Sequence, residues 1–375
     1  MTRAMPWYMW CAGAAVTSAM IGVHWDISWH RSIGRDTFWT PAHIAIYLCG
    51  ILGGISSAFL ILSATFGRGA EAAATRAASV RIWGFRGPIG AFIMAWGGIA
   101  MLTSAPFDDW WHNAYGLDVR IISPPHTVLA AGIFSVMLGA LLLVTGLMNR
   151  SSGERRRMLG HIYVFLGGLV VVNMATFVME EIFNVAMHRG FYYRAVALAL
   201  PFYLTGLARA CDLSWPATRI AAVYMLFWAA MNWILPLFPA EPKLGPVLNP
   251  VTRFVPSYFP MLLVIPAFGV DLVLRRASAW PAWRTGLAAG AVFTALLLAA
   301  QWPFGEFLMS PWASNWFFFG GARDYRTPAT SFSARRIFLP AEPAFAWNLA
   351  AAFAAACVTS WLGLNWGSWL RKVRR

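Results

Sequence analysis

Residues 43–65 read HIAIYLCGILGGISSAFLILSAT, a run of 23 residues without Asp, Glu, Lys or Arg. As a helix, a run of this length crosses the roughly 30 Å hydrocarbon core of a bilayer. Comparable apolar runs recur along the 375-residue chain, which is 59% hydrophobic and 12% charged. The short alternating segments of a membrane β-barrel are absent. The sequence therefore predicts an all-α, polytopic membrane protein and excludes an ordinary soluble domain.

The apolar runs predict about ten transmembrane helices in one membrane domain, residues 1–375. The predicted spans are residues 7–30, 43–65, 88–112, 126–148, 161–188, 193–210, 219–237, 257–274, 285–303 and 344–368. No A-x-A-like cleavage site precedes the motif at the end of the first run, so we expect a membrane helix there and not a signal peptide. The four cysteines are isolated, which supports neither a disulfide framework nor a thiolate metal site.

Charge predicts the orientation of these helices. With alternating loops, the side that holds both termini carries 18 of the 29 Lys and Arg residues but 4 of the 15 Asp and Glu residues. The positive-inside rule predicts that this side faces the cytoplasm, with the chain in a bacterial-type inner membrane. The net charge of +14 is thereby explained without a nucleic-acid partner.

Two stretches on the opposite, outer side resemble each other. They are HWDISWHRSIGRDTFWTPAH, residues 24–43, and FDDWWHNAYGLDVRIISPPH, residues 107–126. With one residue inserted late in the second copy, the aligned pairs are Asp26 with Asp108, Trp29 with Trp111, His30 with His112, Gly34 with Gly116, Asp36 with Asp118, Thr40-Pro41 with Ser123-Pro124, and His43 with His126. Each copy joins an outward-going helix to an inward-going one. The sequence therefore predicts a repeated helical hairpin, at about residues 7–65 and 88–148.

The spacing within each copy predicts a metal site. Asp26 and His30 are four residues apart and share a helix face. Thr40 is suited to cap the next helix and Pro41 to its first turn, which brings His43 to a similar depth. Two histidines and one carboxylate suit copper, zinc or non-haem iron. The alternative is a duplicated structural hairpin in which Asp and His simply pair.

The second copy offers Asp108, His112 and His126, with Asp109 as an alternative carboxylate. The two sets of ligands are expected to hold two metals or to meet at one dinuclear centre. We interpret the glycines and the later aspartates of both copies as turn and capping residues. The surrounding tryptophans are expected to form an interfacial aromatic belt.

The order Asp-x3-His-x12-His, formed by Asp26, His30 and His43, resembles the copper site in the C subunit of the particulate methane and ammonia monooxygenases. The resemblance implies that these three residues ligate copper, and the second copy follows the same pattern with one extra residue. It covers about twenty residues per copy. That family's C subunit has one copy and fewer helices, and it works with partner subunits, one of which has soluble copper-binding domains that this chain lacks.

A third locus lies at the end of the fifth predicted span. Glu181, Asn184 and His188 are spaced to share one helix face, and a degenerate third hairpin is predicted over residues 161–210. These residues are candidates for a ligand, a proton-transfer acid or a positioning partner. The alternative is an interfacial helix end. Glu306 is a further carboxylate on the same side.

These features favour a copper-dependent membrane oxidase or monooxygenase that acts on a small apolar or lipid-soluble substrate. The sequence has no haem, Rossmann or iron–sulfur motif, so an external electron donor such as a quinol is expected. Membrane lipids and partner subunits are the other expected partners. A zinc-dependent lipid hydrolase, a metal transporter and a non-catalytic subunit of a membrane complex remain alternatives. The near absence of acidic residues inside the spans counts against an ion path.

Overall fold

The computed structural model describes residues 5–34, 39–116, 123–182, 187–243, 251–319 and 342–375, without the side chains of residues 180–182. The prediction of an all-α chain is confirmed. The helices are α1 (Trp7–Ser32), α2 (Pro41–Phe66), α3 (Ala70–Ala77), α4 (Ile89–Tyr115), α5 (Pro124–Asn149), α6 (Gly153–Ile182), α7 (Gly190–Ala210), α8 (Pro216–Ile234), α9 (Val264–Arg276), α10 (Ala282–Leu308) and α11 (Phe345–Leu370). Two strands that the sequence did not predict, β1 (Val80–Ile82) and β2 (Phe85–Gly87), form a short antiparallel hairpin.

Within the described ranges, seven helices are long and apolar enough to cross a membrane, namely α2, α4, α5, α6, α8, α10 and α11. The chain is therefore a helical multi-pass membrane protein. The other three predicted spans correspond to α1, α7 and α9, which do not reach that standard of length and hydropathy. Helix α1 carries Asp26 and Arg31 near its end, and α7 carries Arg194 and Arg209.

The predicted span at residues 257–274 is only partly helical. Helix α9 begins at Val264, and its 13 residues reach about 20 Å, which is short of a bilayer core. Residues 257–262 are non-helical, although most of their side chains are buried. Side chains of α8 and α10 hydrogen-bond the backbone of this segment at 2.9–3.1 Å: Trp228 and Asn232 as donors, Tyr224 and Gln301 as acceptors. These bonds replace the internal bonds of a helix, as irregular backbone requires at membrane depth.

Two compact units make up the fold. The first contains residues 1–166, 240–251 and 372–375, and the second contains residues 167–239 and 252–371. In the first unit α1 packs on α2, α4 packs on α5, and α2 packs on α4. In the second unit α11 packs on α7 and α10, and α9 packs on α8 and α10. Both stretches with the Asp and His motif belong to the first unit.

Helices α4 and α5 approach each other closely through small residues. A Cβ added to Gly90 would lie 2.4 Å from the carbonyl oxygen of Gly139, and one added to Gly139 would lie 2.5 Å from that of Gly90. Only hydrogen fits at these positions. Close backbone approach at glycine is a common way for membrane helices to associate, because lipid offers no hydrophobic driving force. This contact holds α4 against α5 and so positions the second motif.

Candidate metal centre

The first set of candidate ligands lies on two neighbouring helices of the first unit. Asp26 and His30 project from the last two turns of α1. The hydroxyl of Thr40 accepts a hydrogen bond from the backbone N–H of His43 at 3.2 Å, so Thr40 caps α2 as predicted. Pro41 is the first residue of α2, where its missing N–H costs nothing. This cap places His43 in the first turn of α2, facing the end of α1.

The three side chains meet. Asp26 Oδ2 lies 3.6 Å from His30 Nε2, and Asp26 Oδ1 lies 3.2 Å from His43 Nε2. Their side chains are between 23% and 30% exposed, so the cluster lies at a helix end and remains open to small molecules. One turn before Asp26, a Cβ on Gly22 would lie 2.8 Å from the backbone nitrogen of Ile46. The glycine therefore lets α1 and α2 approach closely beneath the cluster.

The second set has the same local structure. Ser123 caps α5 by accepting a hydrogen bond from the backbone N–H of His126 at 3.4 Å, and Pro124 is the first residue of that helix. Asp108 Oδ1 lies 2.9 Å from His112 Nε2 and 3.5 Å from His126 Nε2. The side chains of Asp108 and His112 are 16% and 6% exposed, which makes this cluster the more buried of the two.

A backbone carbonyl fixes the tautomer of His112. Its Nδ1 lies 3.1 Å from the carbonyl oxygen of Gly116, which can only accept a hydrogen bond. Nδ1 therefore donates this hydrogen bond, and Nε2 faces Asp108 at 2.9 Å, where it is placed to bind a metal ion. Histidine ligands of metals are commonly held in this way. Gly116 has φ +87° and its counterpart Gly34 has φ +83°, as expected of turn residues after a helix. Asp36 and Asp118 lie outside the described residues.

The geometry of both clusters fits a metal ion. In each, one ligand atom from each of the three residues lies within 4.8 Å of the other two. A tetrahedral ion with ligand distances of about 2.0–2.1 Å needs its ligands roughly 3.4 Å apart. One oxygen each of Asp26 and Asp108 is buried and accepts no hydrogen bond from the described residues, although imidazole nitrogens lie 3.2 and 2.9 Å away. A cation between these atoms would satisfy them.

The two clusters lie on helix pairs that are joined by the packing of α2 on α4, and Tyr47 of α2 lies near the first cluster. Its ring centroid is 6.2 Å from that of His43, and its phenol is within electrostatic range of both Asp26 and Asp108. At a limit of 4.8 Å between ligand atoms the clusters are two groups and not one. Sequence reasoning missed Tyr47. The signal was its position one helical turn after His43, but an aromatic residue in an apolar run does not stand out.

The secondary candidates lie elsewhere. Asp109 is exposed, belongs to neither cluster and accepts a hydrogen bond from Asn113 at 3.4 Å. His188 lies in a turn of the second unit, and its Nε2 lies 3.0 Å from the carbonyl oxygen of Trp302 and 4.0 Å from Glu306. The prediction that residues 181–188 form one helix face is therefore wrong for His188. The side chain of Glu181 and the whole of Asn184 lie outside the described part.

Some of the aromatic residues around the clusters are exposed, whereas Trp25, Trp29 and Trp111 are half-buried. Trp39 is 71% exposed, Trp110 is 55% exposed and Tyr115 is 68% exposed. Large exposed aromatic side chains near the ends of membrane helices are typical of the interfacial belt. The prediction of an aromatic belt is consistent with these exposures.

Comparison with known proteins adds no relative. No protein-family model matches the chain, and neither a curated protein nor a solved structure is significantly similar to it. The local resemblance to the monooxygenase copper site therefore has no support from a matching family. What is established is a helical membrane protein with two Asp-His-His clusters, each compact enough to bind a metal ion.

Proposed function

We propose that this chain is a metal-dependent membrane oxidoreductase, and that each Asp-His-His cluster binds one transition-metal ion. The observation that carries the proposal is the occurrence of two clusters with the same arrangement of ligands. Asp26, His30 and His43 converge on one side, and their counterparts on α4 and α5 converge with the same caps and the same turn glycine. Accidental pairing of Asp and His is a poor explanation for one arrangement built twice.

The set of donor atoms limits which metals each cluster could bind. Each cluster offers two imidazoles and one carboxylate with no thiolate, which copper, zinc and non-haem iron all accept. The resemblance to the monooxygenase site favours copper. Three protein ligands leave a coordination position open, which is typical of catalytic and not of structural sites. Bound copper would supply one-electron redox chemistry and the activation of dioxygen.

The residues of the chain would balance the charge of the ions and orient their ligands. Asp26 and Asp108 offset the charge of the ions, and the carbonyl of Gly116 holds His112 in the tautomer that binds a metal. The partial exposure of the clusters and the apolar helices around them allow a small lipid-soluble substrate to arrive from the membrane. Electrons would come from an external donor such as a quinol or from partner subunits.

The orientation and the repeat are part of the proposal. Ten membrane helices, with α1, α7 and α9 counted among them, would place both termini in the cytoplasm and both clusters on the outer face. Duplication of one hairpin would account for α1–α2 and α4–α5. Impermeant maleimide labelling of intact cells tests the orientation in a chain whose own cysteines are replaced. We expect Tyr115→Cys to be labelled from outside and Arg157→Cys only after lysis.

Metal analysis of the purified protein tests the function. We expect about two copper ions per chain, one lost in His30→Ala and the other in His112→Ala. His161→Ala is the matched control, because His161 is exposed and belongs to neither cluster. Zinc in place of copper would favour the lipid hydrolase, in which a metal-bound water is the nucleophile. A purified protein without transition metal under replete conditions would refute the proposal.

A further inference from the structure

A cavity of about 370 Å³ lies in the first unit, at the other end of its helices from the metal clusters. Tyr8 lines the cavity at the start of α1, whereas Asp26 lies 18 residues later, which is about 27 Å along the helix. The size of the cavity is in the range of small-molecule sites. Neither the metal sites nor the proposed oxidation chemistry involves it.

The polar side of this cavity is cationic. Its ionisable and polar side chains are Tyr8, Glu71, Thr75, Arg150, Arg155 and Arg375. Three arginines against one glutamate leave an excess of positive charge, and the phenol of Tyr8 lies within electrostatic range of Arg150, Arg155 and Glu71. The planar guanidinium group binds phosphate oxygens in pairs, and the two hydroxyls add further hydrogen-bonding groups.

The other side of the cavity is apolar. Leu60 of α2 and Leu142, Leu143 and Leu147 of α5 line it, together with Pro6 and Pro88. A soluble anion would use only the arginines and leave this leucine wall uncovered. A molecule with an anionic head and a hydrocarbon tail would contact both sides at once. Since the chain is a membrane protein and the cavity lies at its helix ends, such amphiphiles are the molecules available there.

We propose that this cavity binds an anionic phospholipid, with its phosphate between Arg150 and Arg155 and the start of its acyl chains against the leucine wall. The phosphate chemistry alone would also suit inorganic phosphate, and the leucine wall is what distinguishes the lipid. The site is independent of the metal clusters, so it stands or falls separately from the proposed oxidoreductase.

Thermal unfolding of the delipidated full-length protein in detergent tests the site. We expect short-chain phosphatidylglycerol to raise Tm in a saturable manner, because a ligand that binds only the folded state stabilises it. Phosphatidylcholine and inorganic phosphate at the same concentrations should leave Tm unchanged. The variant Arg150→Gln with Arg155→Gln should need at least tenfold more phosphatidylglycerol for the same shift.

The matched control is Arg157→Gln, which removes the same charge from α6 but does not line the cavity. It should bind phosphatidylglycerol like the wild type. Arg150 also donates a hydrogen bond to the carbonyl of Arg374, so the double variant could lose stability for a reason unrelated to the lipid. Arg155→Gln alone keeps that hydrogen bond and should still weaken binding severalfold. Equal binding of phosphatidylcholine, equal binding of inorganic phosphate, or an equal effect of Arg157→Gln would each overturn the proposal.

Discussion

Replacement of Asp108 by asparagine probes the more buried of the two Asp-His-His clusters. Asp108 Oδ1 is the atom that joins the cluster, because it lies 2.9 Å from His112 Nε2 and 3.5 Å from His126 Nε2. Asparagine keeps the size and shape of the side chain and one oxygen donor. It removes the negative charge that would face a bound metal ion, at a position where Asp108 itself is 16% exposed and the neighbouring His112 is 6% exposed. The change therefore isolates the electrostatic part of metal binding.

The expected loss follows from the position of Asp108. Removal of a group that only orients a metal ligand typically lowers the metal affinity 10–100-fold. Asp108 would contact the ion itself, so we expect a loss of at least about 100-fold, which is about 2.7 kcal/mol. Solvent can offset little of this loss, since the carboxylate oxygen is buried. The same change at the more exposed Asp26 should cost less.

Competition between the purified protein and chelators of known affinity measures this loss, and metal analysis gives the number of ions retained. Asp109→Asn is the matched control, because Asp109 is the next residue, is exposed and belongs to neither cluster. We expect Asp108→Asn to retain one tightly bound ion per chain and Asp109→Asn to retain both. Equal affinities in the two variants would refute the assignment of Asp108 as a ligand.

Three other changes test the packing and the neighbourhood of the site. Gly139→Ala places a Cβ 2.5 Å from a backbone carbonyl oxygen, so we expect thermal unfolding to show a decrease of about 1–3 kcal/mol in the free energy of unfolding. Gly54→Ala is the control, because nothing lies within 4 Å of its new Cβ, and it should leave the stability unchanged. Asn232→Ala removes two hydrogen bonds to the buried segment before α9 and should lower the free energy of unfolding by about 1–3 kcal/mol. Asn365 is exposed, so Asn365→Ala should lower it little. Equal decreases in the two variants would contradict this account. Tyr47→Phe should retain both metal ions in the metal analysis, because the proposed ligands of both ions are aspartate and histidine, and loss of an ion would make Tyr47 a ligand.

The local structure of the two clusters could be predicted because it depends on short-range rules. Thr40 was recognisable as a cap from its position before proline, and Ser123 aligns with it; both caps are present. The spacing of Asp26 and His30 needed only the helical period. The approach of the cluster on α1 and α2 to the cluster on α4 and α5 could not be derived in this way, since it depends on how α2 packs against α4.

The helix boundaries beyond the clusters were less predictable for the same reason. Hydropathy suggested a full span at residues 257–274, because a buried non-helical segment and a membrane helix are equally apolar in composition. Hydrogen bonds from α8 and α10, distant in sequence, stabilise the non-helical segment. His188 was assigned to a helix face because nothing in the spacing signals that it lies in a turn.

The amino-acid sequence by itself determined the class of the protein, the hairpin ends and the residues of each cluster. Those properties follow from apolar run length, from caps and from the helical period, all of which act within a few turns of chain. Only the tertiary structure decided how closely the side chains of each cluster approach one another, where Tyr47 lies and where a predicted helix is replaced by non-helical backbone. These outcomes depend on contacts between residues far apart in the chain, such as that of Gly90 with Gly139, and no local pattern specifies their geometry.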